Sequence, residues 1–229
     1  LLDCGTGIGD LSLGSLEKIR HIFISHAHLD HVCMLPLLVD SIFESLQQHP
    51  VTLYASQAVL DVLYEHLFNW QIWPDFFTLP SKDNPVLTSR AIEAGQTITV
   101  KDRTITALPV EHAVPALGFA VTSAEGKSIA FSGDTGSGAR LWNSLNELES
   151  LDHLLVECAY PEQEAELAAA ARHYTPSRLV EDLRLLSHQP EVSIVHLKPG
   201  GEQLIGEQLS ALAPERSFKL LQSGDHFSL

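Results

Sequence analysis

The stretch Ser25-His26-Ala27-His28-Leu29-Asp30-His31 constrains this chain more than any other, because His26, His28, Asp30 and His31 put four metal-binding groups into six positions. Arg20-His21-Ile22-Phe23-Ile24 just before it reads as a short buried strand, and residues 32–39 read as the start of an apolar helix. The four groups therefore fall on a strand-to-helix turn. Side chains in a turn need not alternate between faces, so His26 and His28 can converge on one ion while Asp30 and His31 face a second. Imidazole and carboxylate without thiolate suit Zn²⁺, Mn²⁺ or Fe²⁺. They argue against a purely structural zinc, which usually recruits cysteine.

A turn of this kind needs further ligands from elsewhere in the chain. From residue 91 the pattern has a period of two, and residues 97–100, 104–110, 118–122 and 128–131 read as strands separated by turn residues. His112 follows the second of these strands and Asp134 the last. Residues 153–156 and 192–195 are two further strands, and His196 stands at the exit of the second. Polar residues at strand exits gather at one rim of a mixed sheet, which makes all three candidate ligands.

Helices are expected over 10–18, 35–46, 57–67, 138–148, 162–171, 177–186 and 202–212, with Thr175 as N-cap and Pro176 as first helical residue of the sixth. Residues 51–54 read as a strand, and short strands are expected near 217–221 and 225–228. Asp3 either hydrogen-bonds the ligand turn or simply ends a strand. Trp70, Trp73, Phe76 and Phe77 crowd four rings into the segment 69–77, so residues 68–90 read either as a lid or pocket wall that stacks on a planar base, or as a satellite core. Strands and helices alternate in both halves, suggesting two packed sheets with helices outside.

Composition narrows the classes. A chain of 229 residues that is 45% apolar can form one domain, 1–229. No run of apolar residues is long enough to cross a membrane and no stretch has the order of a signal peptide, so a cytoplasmic protein without a membrane partner is expected. The opening Leu1-Leu2-Asp3 reads as mid-strand, and an N-terminal segment before it is expected. A formal charge of −15 with scattered Lys and Arg disfavours polymeric nucleic acid but admits a small anionic nucleotide, and leaves a homodimer open. Cys4, Cys33 and Cys158 read as reduced thiols.

Taken together, His26, His28 and His112 offer three imidazoles to one ion, Asp30, His31 and His196 serve another, and Asp134 can bridge them. Two divalent ions sharing a water lower its pKa from 15.7 toward about 7, which supplies a nucleophile at neutral pH, and they bind phosphoryl oxygens. A leaving ribose oxygen then needs a proton. His173 is the candidate donor, held by Glu157.

These residues resemble the metallo-β-lactamase superfamily in its two-metal form, through His26-Ala27-His28-Leu29-Asp30-His31, His112, Asp134 and His196. Several further segments resemble class II 3′,5′-cyclic-nucleotide phosphodiesterases: Trp73-Pro74-Asp75-Phe76, Ser132-Gly133-Asp134-Thr135-Gly136, Val156-Glu157-Cys158-Ala159-Tyr160-Pro161, His173-Tyr174-Thr175-Pro176 and His196-Leu197-Lys198-Pro199. The resemblance implies an α/β fold, the αββα four-layer sandwich of two mixed sheets. It also implies opening of cyclic AMP or cyclic GMP to the 5′-nucleotide, with Asp30, His173 and Glu157 taking part in catalysis. Carried across, His26, His28, His112 and Asp134 hold the first ion and Asp30, His31, Asp134 and His196 the second, zinc being the first expectation with manganese or iron as alternatives. Cys33-Met34 departs from the small residues usual after the ligand turn. The block around Glu157 and His173 also resembles tRNA 3′-processing endonucleases, and a lactone or thioester hydrolase of the same fold is a further alternative. The acidic charge and the lack of a basic arm speak against tRNA.

Overall fold

A computed structural model describes residues 1–229, which divide into two compact units, Leu1–Glu93 and Ala94–Leu229. The first unit contains a 3₁₀ turn Thr6–Asp10 and the helix α1 Leu13–Leu16. These are followed by β1 His21–Phe23, α2 Leu29–Val32, α3 Leu35–Ser41, α4 Phe43–Leu46, β2 Val51–Ala55 and α5 Gln57–His66. The short ladder of β3 Pro80–Ser81 with β4 Asn84–Pro85 precedes β5 Leu87–Ala91. Strands β1, β2 and β5 form an all-parallel sheet in that order, with Ile22 opposite Leu53 and Leu53 opposite Ser89. Ile22, Ile24, Val51, Leu53 and Leu87 are fully buried, as the near-continuous apolar runs of parallel strands require.

The helix expected over 35–46 is broken in two. Ser41 Oγ donates to Leu37 O at 2.7 Å, a back-bond that bends helices, and Ile42 leaves helical geometry at φ −116° and ψ 20°. The proline-rich stretch after the aromatic segment, expected as part of a lid or pocket wall, contains β3, β4 and the start of β5. Ser56 caps α5 by accepting the N–H of Val59.

The second unit contains β6 Thr97–Val100, β7 Arg103–Pro109, β8 Leu117–Ser123, β9 Ser128–Phe131, α6 Ala139–Asn146 and β10 His153–Glu157. After them come α7 Ala165–Ala171, α8 Pro176–Asp182, β11 Glu191–Val195, α9 Glu202–Leu212 and β12 Phe218–Leu220. Its seven-stranded sheet runs β12-β11-β10-β9-β8-β7-β6, with an antiparallel meander from β6 to β9 and parallel pairing from β9 to β12. Two successive antiparallel pairings make β7 and β9 run the same way. The exits of β7, β9, β10 and β11 therefore share one rim. Trp142 and Tyr174 are the largest fully buried side chains, and their polar atoms are paired: Trp142 Nε1 donates to the Tyr174 hydroxyl at 3.1 Å, which donates to Asp182 at 2.6 Å.

Three expectations are corrected here. Residues 225–228 form no strand: Asp225 closes a turn with Gln222, and the Phe227 ring lies 5.2 Å from that of His153. The sixth expected helix ends at Asp182 and continues only as a 3₁₀ turn, Leu183–Leu185. Thr175 stands at the N-cap of α8 without a side-chain bond, and Glu162 does the capping instead, accepting Ser177 N at 2.6 Å and Ser177 Oγ at 3.0 Å.

Candidate metal centre

On the first unit the ligand turn leaves β1 and enters α2. Asp3 organises it: one carboxylate oxygen accepts Ser25 N, the other accepts Ser25 Oγ and His31 Nδ1, each at 2.7 Å. Of the two readings of Asp3, the structure shows the one in which it supports the turn. Having donated its proton to Asp3, Ser25 Oγ can only accept from His26 Nδ1, 3.0 Å away. His26 and His31 thus carry their protons on Nδ1 and present Nε2 lone pairs, the arrangement that a protein partner imposes on metal-binding imidazoles. His26 Nε2 lies 3.0 Å from His28 Nδ1. Two nitrogens about 2.0–2.1 Å from a tetrahedral zinc are roughly 3.3 Å apart, so this pair fits a shared ion. Asp30 keeps its carboxylate 55% exposed, 3.9 Å from His31 Nε2.

On the second unit the common rim delivers His112 after β7, Asp134 after β9, Glu157 at the end of β10 and His196 after β11. His112 Nδ1 faces Arg172 O at 3.3 Å, the Arg172 guanidinium donates back to His112 O at 2.9 Å, and His112 Nε2 stands 3.9 Å from Asp134. Asp134 is buried and 2.7 Å from His196 Nδ1. Ligand atoms of Asp134, His173 and His196 all lie within 4.8 Å of one another. Mixed imidazole and carboxylate donors at this spacing fit a divalent transition ion.

His173 is placed by the end of α7. Arg172 takes a left-handed conformation at φ 56°, its N–H bonding Ala169 O and that of His173 bonding Ala168 O, which is a Schellman turn. Beyond it, His173 Nδ1 donates to Glu157 at 2.7 Å. The Glu157 carboxylate has no exposed surface and accepts three more bonds, from the N–H groups of Thr135, Ala159 and Tyr174 at 2.8, 3.2 and 3.1 Å. Burial pushes the Glu157 carboxyl up from its ordinary value, against the pull of His173 and these donors. Partial burial disfavours the imidazolium of His173, but the bond to Glu157 outweighs it and holds the imidazole above its usual range.

The aromatic segment divides. Phe76 is buried, with Phe43 and Phe68 rings 5.7 and 6.1 Å away, so it belongs to the core and is corrected as a base-stacking residue. Phe77 packs on Tyr64 at 4.4 Å and Trp73 is half-buried against the same cluster, whereas Trp70 is 63% exposed. Ser25, Arg172 and Gly5 were not singled out from sequence. A Cβ on Gly5 would lie 2.2 Å from Asp30 O, so only glycine lets the first turn pack under the ligand turn. In the sequence, Gly5 and Gly7 signal a turn and nothing more.

Residues 1–213 match the model of the β-lactamase superfamily domain. The chain belongs to that superfamily. Among solved structures, unliganded yeast PDE1 superposes with a TM-score of 0.75 at 22% identity, covering 90% of this chain and 67% of that one. The metallo-β-lactamase fold protein YhfI of Bacillus subtilis superposes at 0.74 and 19% identity, covering 98% and 85%. The superfamily member described here therefore has the metallo-β-lactamase fold that the ligand motif implied. In sequence it is 29% identical over 210 residues to a probable 3′,5′-cyclic-nucleotide phosphodiesterase of Yersinia pestis, covering 82% of this chain and 59% of that protein. The chain thus spans well under two thirds of that relative. No helix is long and apolar enough to cross a membrane.

Proposed function

We propose that this chain is a metal-dependent phosphodiesterase that opens a 3′,5′-cyclic nucleotide, cyclic AMP in the first instance, to the 5′-nucleotide. The observation that carries the reading is the His173–Glu157 pair beside Asp134 and His196: a buried carboxylate fixes an imidazole next to metal-binding groups, with Nε2 left to meet a substrate. The similarity to the Yersinia pestis protein supports the choice of substrate.

In this reading His26, His28, His112 and Asp134 hold one divalent ion and Asp30, His31, Asp134 and His196 the other, with zinc as the first candidate. Bound there, such ions supply Lewis acidity, lowering the pKa of water and offsetting phosphoryl charge. The protein's own groups do the rest. Asp3 and Ser25 fix the tautomers of His31 and His26, Arg172 fixes that of His112, and Glu157 holds His173 protonated on Nδ1. Hydrolysis adds water across the P–O3′ bond, with hydroxyl going to phosphorus. The bond's electron pair stays on O3′, which takes a proton from His173 Nε2, because a ribose alkoxide is a poor leaving group.

The test is hydrolysis by the metal-loaded protein of cyclic AMP, cyclic GMP, bis-p-nitrophenyl phosphate, a precursor tRNA and an acyl lactone. Turnover of the cyclic nucleotides to 5′ products is expected. Turnover of the lactone alone would remove phosphoryl transfer, and a preference for precursor tRNA would move the chain to the endonuclease reading.

A further inference from the structure

His173 also borders a cleft of about 870 Å³ in the second unit, a volume that suits a small-molecule site. Ala165, Ala168 and Ala169 of α7 line it as one apolar floor, and Arg172 and Arg178 line it too. The inner wall is the turn after Asp134, which approaches α7 closely: a Cβ on Gly136 would sit 3.1 Å from the Arg172 backbone.

The charges in the cleft say which part of a nucleotide would enter. Glu111, Glu162 and Glu181 face it alongside the two arginines. Arg178 is engaged by Glu181 at 3.1 Å and Arg172 by His112 O at 2.9 Å. A phosphoryl group would be repelled by three carboxylates there, with both arginines already engaged. An uncharged sugar and base would not, and a purine edge finds both an acceptor and donors at Glu181 and Arg178.

We propose that this cleft is the nucleoside subsite, with ribose against His173 and the purine lying on the alanine floor of α7. The inference rests on the reading that His173 protonates O3′. An oxygen that departs toward His173 carries its ribose and base with it, so both must occupy space that His173 borders. Recognition then belongs to α7 and α8, and not to Trp70 and its neighbours.

The test fills the floor. Ala165 and Ala169 are exposed helical positions where phenylalanine carries only a small propensity cost. In metal-loaded Ala165→Phe and Ala169→Phe, the KM for cyclic AMP is expected to rise at least tenfold. The affinity for 5′-AMP should fall at least tenfold relative to that for inorganic phosphate. In the wild type, 5′-AMP should shift the amide resonances of Ala165 and Ala169 and leave the Trp70 indole in place, a readout that does not depend on how the variants fold. An unchanged KM, an unchanged 5′-AMP to phosphate ratio, or shifts at Trp70 with none on α7 would overturn the subsite while leaving the phosphodiesterase reading intact. A wild type inert to every cyclic nucleotide would overturn that reading, and the subsite with it.

Discussion

Replacing Glu157 by glutamine looks conservative and should not be. The carboxylate accepts four N–H donors: His173 and Thr135 on one oxygen at 2.7 and 2.8 Å, Ala159 and Tyr174 on the other at 3.2 and 3.1 Å. An amide has one acceptor oxygen, and its NH₂ must face the remaining pair. The shorter bonds are the ones to keep, so the oxygen should turn to His173 and Thr135 and the NH₂ toward Ala159 and Tyr174. Two buried N–H groups then lose their acceptor at about 1–3 kcal/mol each, or about 2–6 kcal/mol together. For a chain of this length 1 kcal/mol moves the melting temperature by about 2–4 °C, so a middle figure of about 4 kcal/mol lowers it by roughly 8–16 °C. Thermal unfolding of chelator-treated Glu157→Gln by circular dichroism measures the loss, and amide exchange at Ala159 and Tyr174 should quicken. If the melting temperature stays within about 1 °C of wild type and both amides remain protected, the carboxyl does not serve as a four-fold acceptor, and the account of how His173 is held fails.

Four further outcomes are expected. His173→Ala should keep its metal and lose about 10² to 10⁴ in turnover of cyclic AMP but less with p-nitrophenolate as leaving group; equal losses for both would assign His173 to binding. Asp134→Ala should lose metal and turnover together, and metal analysis showing two ions in an active variant would contradict the ligand assignment. Gly5→Ala must displace the Asp30 carbonyl, since its Cβ would begin 2.2 Å from that oxygen, and metal content should drop with every ligand side chain still present. Burial pushes the Cys4 thiol up to about 12 and the buried Cys158 thiol up as well, while Cys33 is half-buried. At pH 8 about one Cys4 in 10⁴ is thiolate, so iodoacetamide should label one cysteine per native chain and all three only after unfolding; native labelling of Cys4 would contradict its burial.

The candidate ligands were legible because metal binding demands particular residue types, and in His26, His28, Asp30 and His31 those types are concentrated beyond what a surface turn needs. The meander was legible for a related reason. Strands β6 and β9 alternate buried and more exposed residues, and the expected 104–110 differs from Arg103–Pro109 by one residue at each end. Strand β5 was hidden, since its C-terminal end at Arg90 and Ala91 is exposed and its place is fixed by register with β2, which lies more than thirty residues earlier. Ser25 and Arg172 were hidden too. Ser25 acts through one hydroxyl, and Arg172 orients His112 through a main-chain oxygen that any residue possesses.

That leaves the question of why position 172 is an arginine. The left-handed turn at the end of α7 would form at lower cost with glycine, and a side chain there carries a penalty of about 1–2 kcal/mol. Lys101 and Trp70 also have positive φ, at 53° and 64°, so a left-handed residue alone marks nothing. Arg172 differs in what the conformation achieves. With the turn formed, its carbonyl meets His112 Nδ1 and its guanidinium reaches His112 O, so one residue grips His112 through its backbone and its side chain together. Asp3, at φ 52°, follows the same logic on the first unit: its left-handed backbone accompanies a carboxylate that reaches Ser25 and His31 at once. Glycine at position 3 would relieve the strain and leave His31 without the carboxylate that fixes its tautomer, whereas glycine at 172 would keep the carbonyl at His112 Nδ1 and lose the guanidinium bond to His112 O.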